Sequence, residues 1–228
     1  MTMAAANPQL QLETLFVTDA RRRIVSTREP HPSPGPAFIF IRGASACAWA
    51  IRADVPEAAA REIDRLAAET EPSAVWDRPL RHAGRYAALL KGRIRSGPAF
   101  TFPEHLEETG DTSVVTDEGE LSPHFSGWVA GEIDAGRGPV LAVRAAVQAV
   151  SVCFCARRSA TAAEAGVETA APFRGRGFVA RVAIAWARCV RTQGLIPLYS
   201  TDWSNHASLA VTRKLRLVPF AADFSVEV

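Results

Sequence analysis

Lysine is almost absent from this chain: of its 26 Lys and Arg residues, only Lys91 and Lys214 are lysine. The bias runs through the whole sequence and reads as a property of the genome, not a functional choice. Apolar runs approaching the roughly 18–20 residues that cross a bilayer are missing too, which argues against a membrane protein. The first segment, MTMAAANPQLQLET, has neither the basic region nor the apolar core of a signal peptide, so a cytoplasmic location is expected. Cysteine is sparse. The four present (Cys47, Cys153, Cys155 and Cys189) show no CxxC spacing. That speaks against a zinc site and against a disulfide framework in a chain of this length, and no metal is expected. Cys153 and Cys155 flank Phe154 in a strand-like run and read as small buried hydrophobes on one face.

What is present is an ordinary globular balance. The 228 residues, 48% hydrophobic and 22% charged, suffice for one large domain or two small ones. The net charge of +2 hides a division: residues 151–228 carry ten Lys and Arg against five Asp and Glu, and the first 150 carry 16 against 19. A basic C-terminal part suggests an anionic ligand. Its arginines are scattered over several segments, unlike the dense basic stripes of nucleic-acid binders, so no nucleic-acid partner is expected.

Along the chain, LETLFVTDARRRIVSTREP reads as two short strands around a charged turn, and HPSPGP as a rigid connector. PAFIFIRG and CAWAIRAD read as strands. Asp54-Val55-Pro56 opens a helix to about Thr70 with Ile63, Leu66 and Ala67 facing a core. A second helix is expected over 78–91, a short strand at GPAFTFP, and a partly exposed connection from Glu104 to Glu120. HFSGWVAGEIDAG reads as a short helix. PVLAV and AVQAVSVCFCARR read as a strand hairpin, its second strand apolar enough to be covered on both faces. AAEAGVETA is a further strand, followed by FRGRGF and a helix whose stripe is Val179, Val182, Trp186 and Val190. LIPLYST, Asn205 to Leu215 and LVPFAADFSVEV then read as strand, helix and strand. The expected order in this half is β-β-β-loop-α-β-α-β.

The loop FRGRGF carries the chemistry. A strand leading through Arg174-Gly175-Arg176-Gly177 into a helix gathers unpaired backbone amides at the positive end of the helix dipole, where an anion is favoured. The glycines let backbone approach a ligand closely, and the two arginines offer charge-assisted bonds to phosphate oxygens. The GK[ST] ending of a Walker loop is missing, and Ala180 stands where a dinucleotide fingerprint has its third glycine. Taken alone, the loop is either an anion site or a solvated basic turn.

Its neighbours narrow that choice. SVCFCARR, AEAGVET, FRGRGF, WARCVRTQGLIPLYSTDWSN and ASLAVTRKLRLV, in this order, resemble the GNAT superfamily of acyl-CoA-dependent N-acyltransferases, and within it the FR47-like bacterial branch. The likeness covers about residues 139–228 and is much weaker over 1–130. It implies a mixed α/β fold with a mostly antiparallel sheet flanked by helices. Residues 131–228 would form the acyl-CoA-binding core. Residues 1–130 would form an N-terminal α/β region, either an acceptor-side part or a GNAT-like half. It also implies acetyl-CoA as cosubstrate. Val167, Glu168 and Thr169 would offer backbone groups to the pantetheine arm, and the amides from Gly175 through Arg176, Gly177 and Phe178 to Val179 would hold the pyrophosphate. Arg174 stands where the family has Gln or Arg. Asn205, with Ser208 one turn later, would meet the pantetheine from the other side. Three positions differ from the family: Val179 replaces a small residue, Thr212 stands where many members have a tyrosine acid, and Arg216 stands at a glycine position.

Acyl transfer to an amine needs the amine neutral, which at pH 7 costs roughly 4–5 kcal/mol for an ordinary alkylamine. Glu164 and Glu168, on one face of their strand, are the candidate bases, either of which could instead be salt-bridged to Arg157 or Arg158. Tyr199 is the candidate acid, with a core role as the alternative. The expected function is N-acetylation of a small-molecule or peptide amine by direct attack in a ternary complex, by a monomer or homodimer. A non-catalytic acyl-CoA sensor or structural module is the alternative.

Overall fold

The computed structural model describes residues 5–107 and 110–228, and the statements below concern these. Two residues of the connection expected from Glu104 to Glu120, numbers 108 and 109, lie outside them.

The first element among the described residues is helix α1 (Pro8–Leu15), where a strand was expected at LETL. Asn7 caps it by accepting from the Leu10 amide, and Pro8 supplies the preset φ of a first helical position. The pattern misleads because the helix is buried nearly all round. Gln11 and Thr14 are as buried as Leu10, Leu12 and Leu15, so LQLET reads as strand alternation. The hairpin β1 (Phe16–Thr18) and β2 (Ile24–Thr27) follows. Next come β3 (Phe38–Gly43), β4 (Cys47–Ile51), α2 (Glu57–Ala68), α3 (Ala83–Leu90), β5 (Arg93–Thr101) and β6 (Ser113–Val114). HFSGWVAGEIDAG is not a helix. Gly127, Gly131 and Gly136 break it into turns, leaving only a five-residue π-type turn at Ile133–Arg137. The remainder matches the expected order: β7 (Leu141–Ala145), β8 (Gln148–Arg158), β9 (Ala162–Thr169), α4 (Phe178–Thr192), β10 (Ile196–Ser200), α5 (His206–Lys214) and β11 (Val218–Glu227).

Nine strands form one sheet in the order β4-β3-β11-β5-β10-β9-β8-β7-β6. The β9–β10 pair is parallel and the other neighbours are antiparallel. The fold class expected from the sequence is therefore the observed one, a mixed α/β architecture with a mostly antiparallel sheet flanked by helices. β5, from the N-terminal part, lies between β11 and β10 of the C-terminal part and makes the sheet continuous through both.

Strand alternation divides the side chains between two faces. Along β5, Ser96, Pro98 and Phe100 face the helices α2, α3 and α4, whereas Arg95, Gly97 and Ala99 face the side of α1. On the first side Trp186, Val182 and Val190 of α4 pack on Cys153, Cys155, Ala163, Ala165 and Tyr199. Cys153 and Cys155 are buried together, as their spacing suggests, and burial raises both thiol pKa values. Among the described residues no helix is long and apolar enough to cross a membrane.

Candidate active site

β9 and β10 part company early. Ile196, Pro197 and Leu198 pair with Ala162, Ala163 and Glu164, and the edge of β9 from Ala165 to Thr169 that faces β10 carries no strand. Beyond Ser200 the chain crosses over β5, where the Trp203 amide donates to the Ser96 carbonyl. Gly97 makes the crossing possible: a Cβ there would overlap the Thr201 carbonyl. The two central strands thus leave a gap, with β9 running on toward FRGRGF.

At the end of that gap, Gly175 and Gly177 both adopt left-handed φ, 76° and 78°. Gly177 is the N-cap of α4 and provides no side-chain cap. Among the described residues, the amides from Gly175 to Val179 meet no acceptor in the chain. The two arginines brace the loop itself. Arg174 Nε donates to the Thr169 carbonyl at 3.2 Å, and Arg176 donates to the Pro172 carbonyl at 3.3 Å while lying over the Phe173 ring. Lys214, at the end of α5, brings its ammonium to the loop: a Cβ on Gly177 would come within 2.6 Å of Lys214 Nζ. Sequence reasoning missed Lys214 because the contact is between helices 37 positions apart and leaves no local pattern. Its rarity as a lysine was the one available signal.

Asn205 caps α5, its Oδ1 accepting from the Ser208 amide at 3.0 Å, and Ser208 Oγ bonds the Tyr199 hydroxyl at 2.8 Å. Tyr199, Ser208 and Asn205 are therefore brought together on the α4–α5 side. Burial raises the Tyr199 pKa, partly offset by the Ser208 hydrogen bond. Thr212 is buried and donates its hydroxyl to the Leu209 carbonyl of its own helix. Arg216 keeps the backbone of the glycine it stands for, with φ of 52°. Val167 packs on the core, and Thr169 shares a 2.7 Å hydroxyl contact with Ser151.

Glu164 points to the opposite face. It is 2% exposed and accepts from Arg157 at 2.8 Å, from Gln11 at 3.2 Å and from the Ser200 hydroxyl. Arg157 also pairs with Glu29. Burial disfavours the guanidinium charge, but Glu164 and Glu29 outweigh it and raise the Arg157 pKa. Glu168, two alternations along the same face, is exposed and apart from this network. Arg157 and Ser200 border a cleft of about 830 Å3, which also takes in Glu29, Arg95, Asp202 and Asp223. Asp202 has a lowered pKa, held by the Ser204 hydroxyl and amide. Asp223, by contrast, is pushed up to about 7, chiefly by burial and then by the charges of Glu164 and Asp202. Sequence reasoning missed Asp223 because its strand, PFAADFSVEV, reads as plain alternation, with Asp223 as one polar position of a mostly apolar run.

No family model and no curated protein matches the chain. Among solved structures it is similar to a GNAT-family protein from Novosphingobium aromaticivorans, at 17% identity and a TM-score of 0.49. That match covers 59% of this chain and 64% of the other, just under two thirds of its length. An acetyltransferase of the GNAT family from Colwellia psychrerythraea matches at 12% identity and TM-score 0.49, over 79% of this chain and 76% of the other. A GCN5-related N-acetyltransferase-like protein from Streptococcus suis matches at 14% and 0.48, over 85% of each chain. The solved structures similar to this chain thus include several of the GNAT family.

Proposed function

We propose that this chain is an acetyl-CoA-dependent N-acetyltransferase of the GNAT superfamily, in line with the FR47-like sequence resemblance. The observation that carries the reading is the conjunction at the start of α4. Amides without acceptors, two left-handed glycines and the Lys214 ammonium adjoin the unpaired edge of β9. This set fits a pyrophosphate followed by an amide-bearing arm: the amides and Lys214 would hold the phosphates, and the open β9 edge would pair with the arm as a strand would. When bound, acetyl-CoA supplies an acyl carbon activated as a thioester. The chain would orient that carbon in the gap and offer a backbone amide of β9 near Val167 to the oxygen that gains charge. Tyr199, hydrogen-bonded to Ser208 beside the gap, is the proposed proton donor to the departing sulfur. Glu164 and Glu168 lie on the other face, where an amine would enter. Of the two, Glu164 is held in the Arg157–Ser200–Gln11 network, and Glu168 is open to solvent.

Calorimetric titration with acetyl-CoA tests the reading. Wild type should bind, and Gly177→Glu should lose binding by about 100-fold or more, because a carboxylate would sit where phosphate is held, on a backbone that side chains resist. Equal binding by the two chains, or none by wild type, would remove the reading. A second reading, an acyl-CoA-binding sensor, is favoured by one observation: the Thr212 hydroxyl, at the usual tyrosine position, is spent on the Leu209 carbonyl. Binding without thiol release across a panel of amines would select it.

A further inference from the structure

The cleft on the α1 side of the sheet takes residues from β3, β5, β8, β10 and β11 and from a crossing loop, which no local motif connects. Register fixes its floor. Asp223 of β11 lies opposite Gly97 of β5, Ser225 opposite Arg95, and Glu227 opposite Arg93. Over Gly97 passes the Thr201–Asp202 backbone, which roofs the Asp223 end. Ser200, the last residue of β10, borders the same cleft and donates to Glu164. The cleft therefore opens onto the point where β9 and β10 separate.

The charged groups around Asp223 come from every neighbouring element: Glu164 on β9, Asp202 after β10, Arg157 on β8 and Arg95 on β5. Each of the others has a partner. Arg157 binds Glu164 and Glu29, and Asp202 takes Ser204 and Arg95. Asp223 forms no ion pair among the described residues; only the Gly97 amide and the more distant Arg157 charge favour its charged form. Arg157, lining the same cleft, independently leaves its buried Nε without an acceptor. One carboxylate without an ion pair and one guanidinium N–H without an acceptor in a single opening match a ligand bearing both a cation and an acceptor group.

We infer that this cleft is the acceptor site and that Asp223 is the catalytic base, receiving the ammonium of a primary amine whose other end carries an oxygen acceptor. The inference rests on the acyl-transfer reading above. The Asp223 carboxylate takes one proton from the ammonium. The freed nitrogen pair forms the C–N bond to the thioester carbonyl carbon, and the C–S bond breaks with its electron pair leaving on sulfur. The second proton lost from nitrogen neutralises the thiolate, and Asp223 releases the first to solvent. A carboxylate whose proton affinity lies near neutrality suits both taking and releasing it.

The test compares wild type with Asp223→Asn and, as a second neutral variant, Asp223→Ser. Each is titrated with acetyl-CoA and assayed for thiol release at pH 7, first with a panel of alkylamines (amino acids, diamines, amino sugars) and then with hydroxylamine, which is already neutral at that pH. Both variants should bind acetyl-CoA as wild type does, lose about 100-fold or more in kcat/KM with the best alkylamine, and keep hydroxylamine turnover within about threefold. A variant that binds acetyl-CoA and acetylates the alkylamine at the wild-type rate overturns Asp223 as base and leaves the acyl-transfer reading standing. Wild type that fails to bind acetyl-CoA, or binds it and releases no thiol with any amine, overturns both.

Discussion

Asp223 also makes a prediction that needs no ligand. Its carboxyl is pushed from 3.8 to about 7 by burial first and by Glu164 and Asp202 second, with the Gly97 amide and Arg157 opposing. The folded chain therefore binds the proton more tightly than the unfolded chain. The stability associated with that proton is fully present below about pH 4, falls as pH rises, and is gone above about pH 7. At about 1.4 kcal/mol per unit the full span is about 4 kcal/mol. Asp223 is half-buried at the cleft, and solvent there reduces the expected effect to about 2 kcal/mol.

Asp223→Asn removes the titration while keeping shape and a hydrogen-bonding oxygen for Gly97. The variant should match wild type near pH 4 and gain on it steadily, reaching an advantage of about 2 kcal/mol at pH 8. Urea unfolding of both chains at pH 5, 6, 7 and 8 measures this. Taking the difference between them cancels the contributions common to both chains. A difference that stays flat across that range, or a variant less stable at pH 8, would refute the picture of a carboxylate charged against its surroundings.

Two further outcomes follow from single residues. Lys214→Ala should weaken acetyl-CoA binding by about fivefold at low salt, with a smaller loss at high salt, because it removes one ammonium from the Gly177 loop and touches no other proposed contact. Arg216→Gly should raise stability by about 0.5–1 kcal/mol in urea unfolding, because Arg216 ends α5 with φ of 52° while the Leu217 amide returns to the Thr212 carbonyl. The corresponding turn after α4 already has glycine, Gly194, so Gly194→Arg should lose a similar amount.

The elements legible in the sequence were those whose partners are local. β8 declares itself by an unbroken apolar run, α4 by a 3–4–4 stripe closed by Gly194, and the loop by two glycines whose left-handed φ the structure contains. α1 was not legible, because its buried positions include the polar Gln11 and Thr14 and only Gln9 and Glu13 are exposed, so polarity does not mark its faces. The first half of β5 was missed for the opposite reason: Arg93 to Ser96 are largely exposed and, Ile94 apart, polar, and only pairing with β11 makes them a strand. The same distinction divides the site. Gly175 and Gly177 announce themselves within one hexapeptide, whereas Lys214 and Asp223 acquire their surroundings from elements far away in sequence. Glu164 was legible as a residue but not in its circumstances, since Gln11 and Ser200 reach it across up to 153 positions and Glu29 shares its Arg157 partner.

The period of two along β10 explains how one short strand can serve both sides of the proposed reaction. Tyr199 turns to the α4–α5 face and meets Ser208, while Ser200, the next residue, turns to the α1 face and meets Glu164. Anything passing through the gap beside β10 would find a phenol on one side and a carboxylate network on the other. That separation suits a reaction in which a proton is removed from the nucleophile and another delivered to the leaving group. The insertion of β5 is what gives the second face its depth: Gly97 admits the crossing loop, and Arg93 and Arg95 extend the floor outward. On this reading the C-terminal strands and loop hold the acyl donor, and the N-terminal strand decides which amine reaches it. Exchanging Arg93 and Arg95 should then alter amine preference without altering acetyl-CoA affinity.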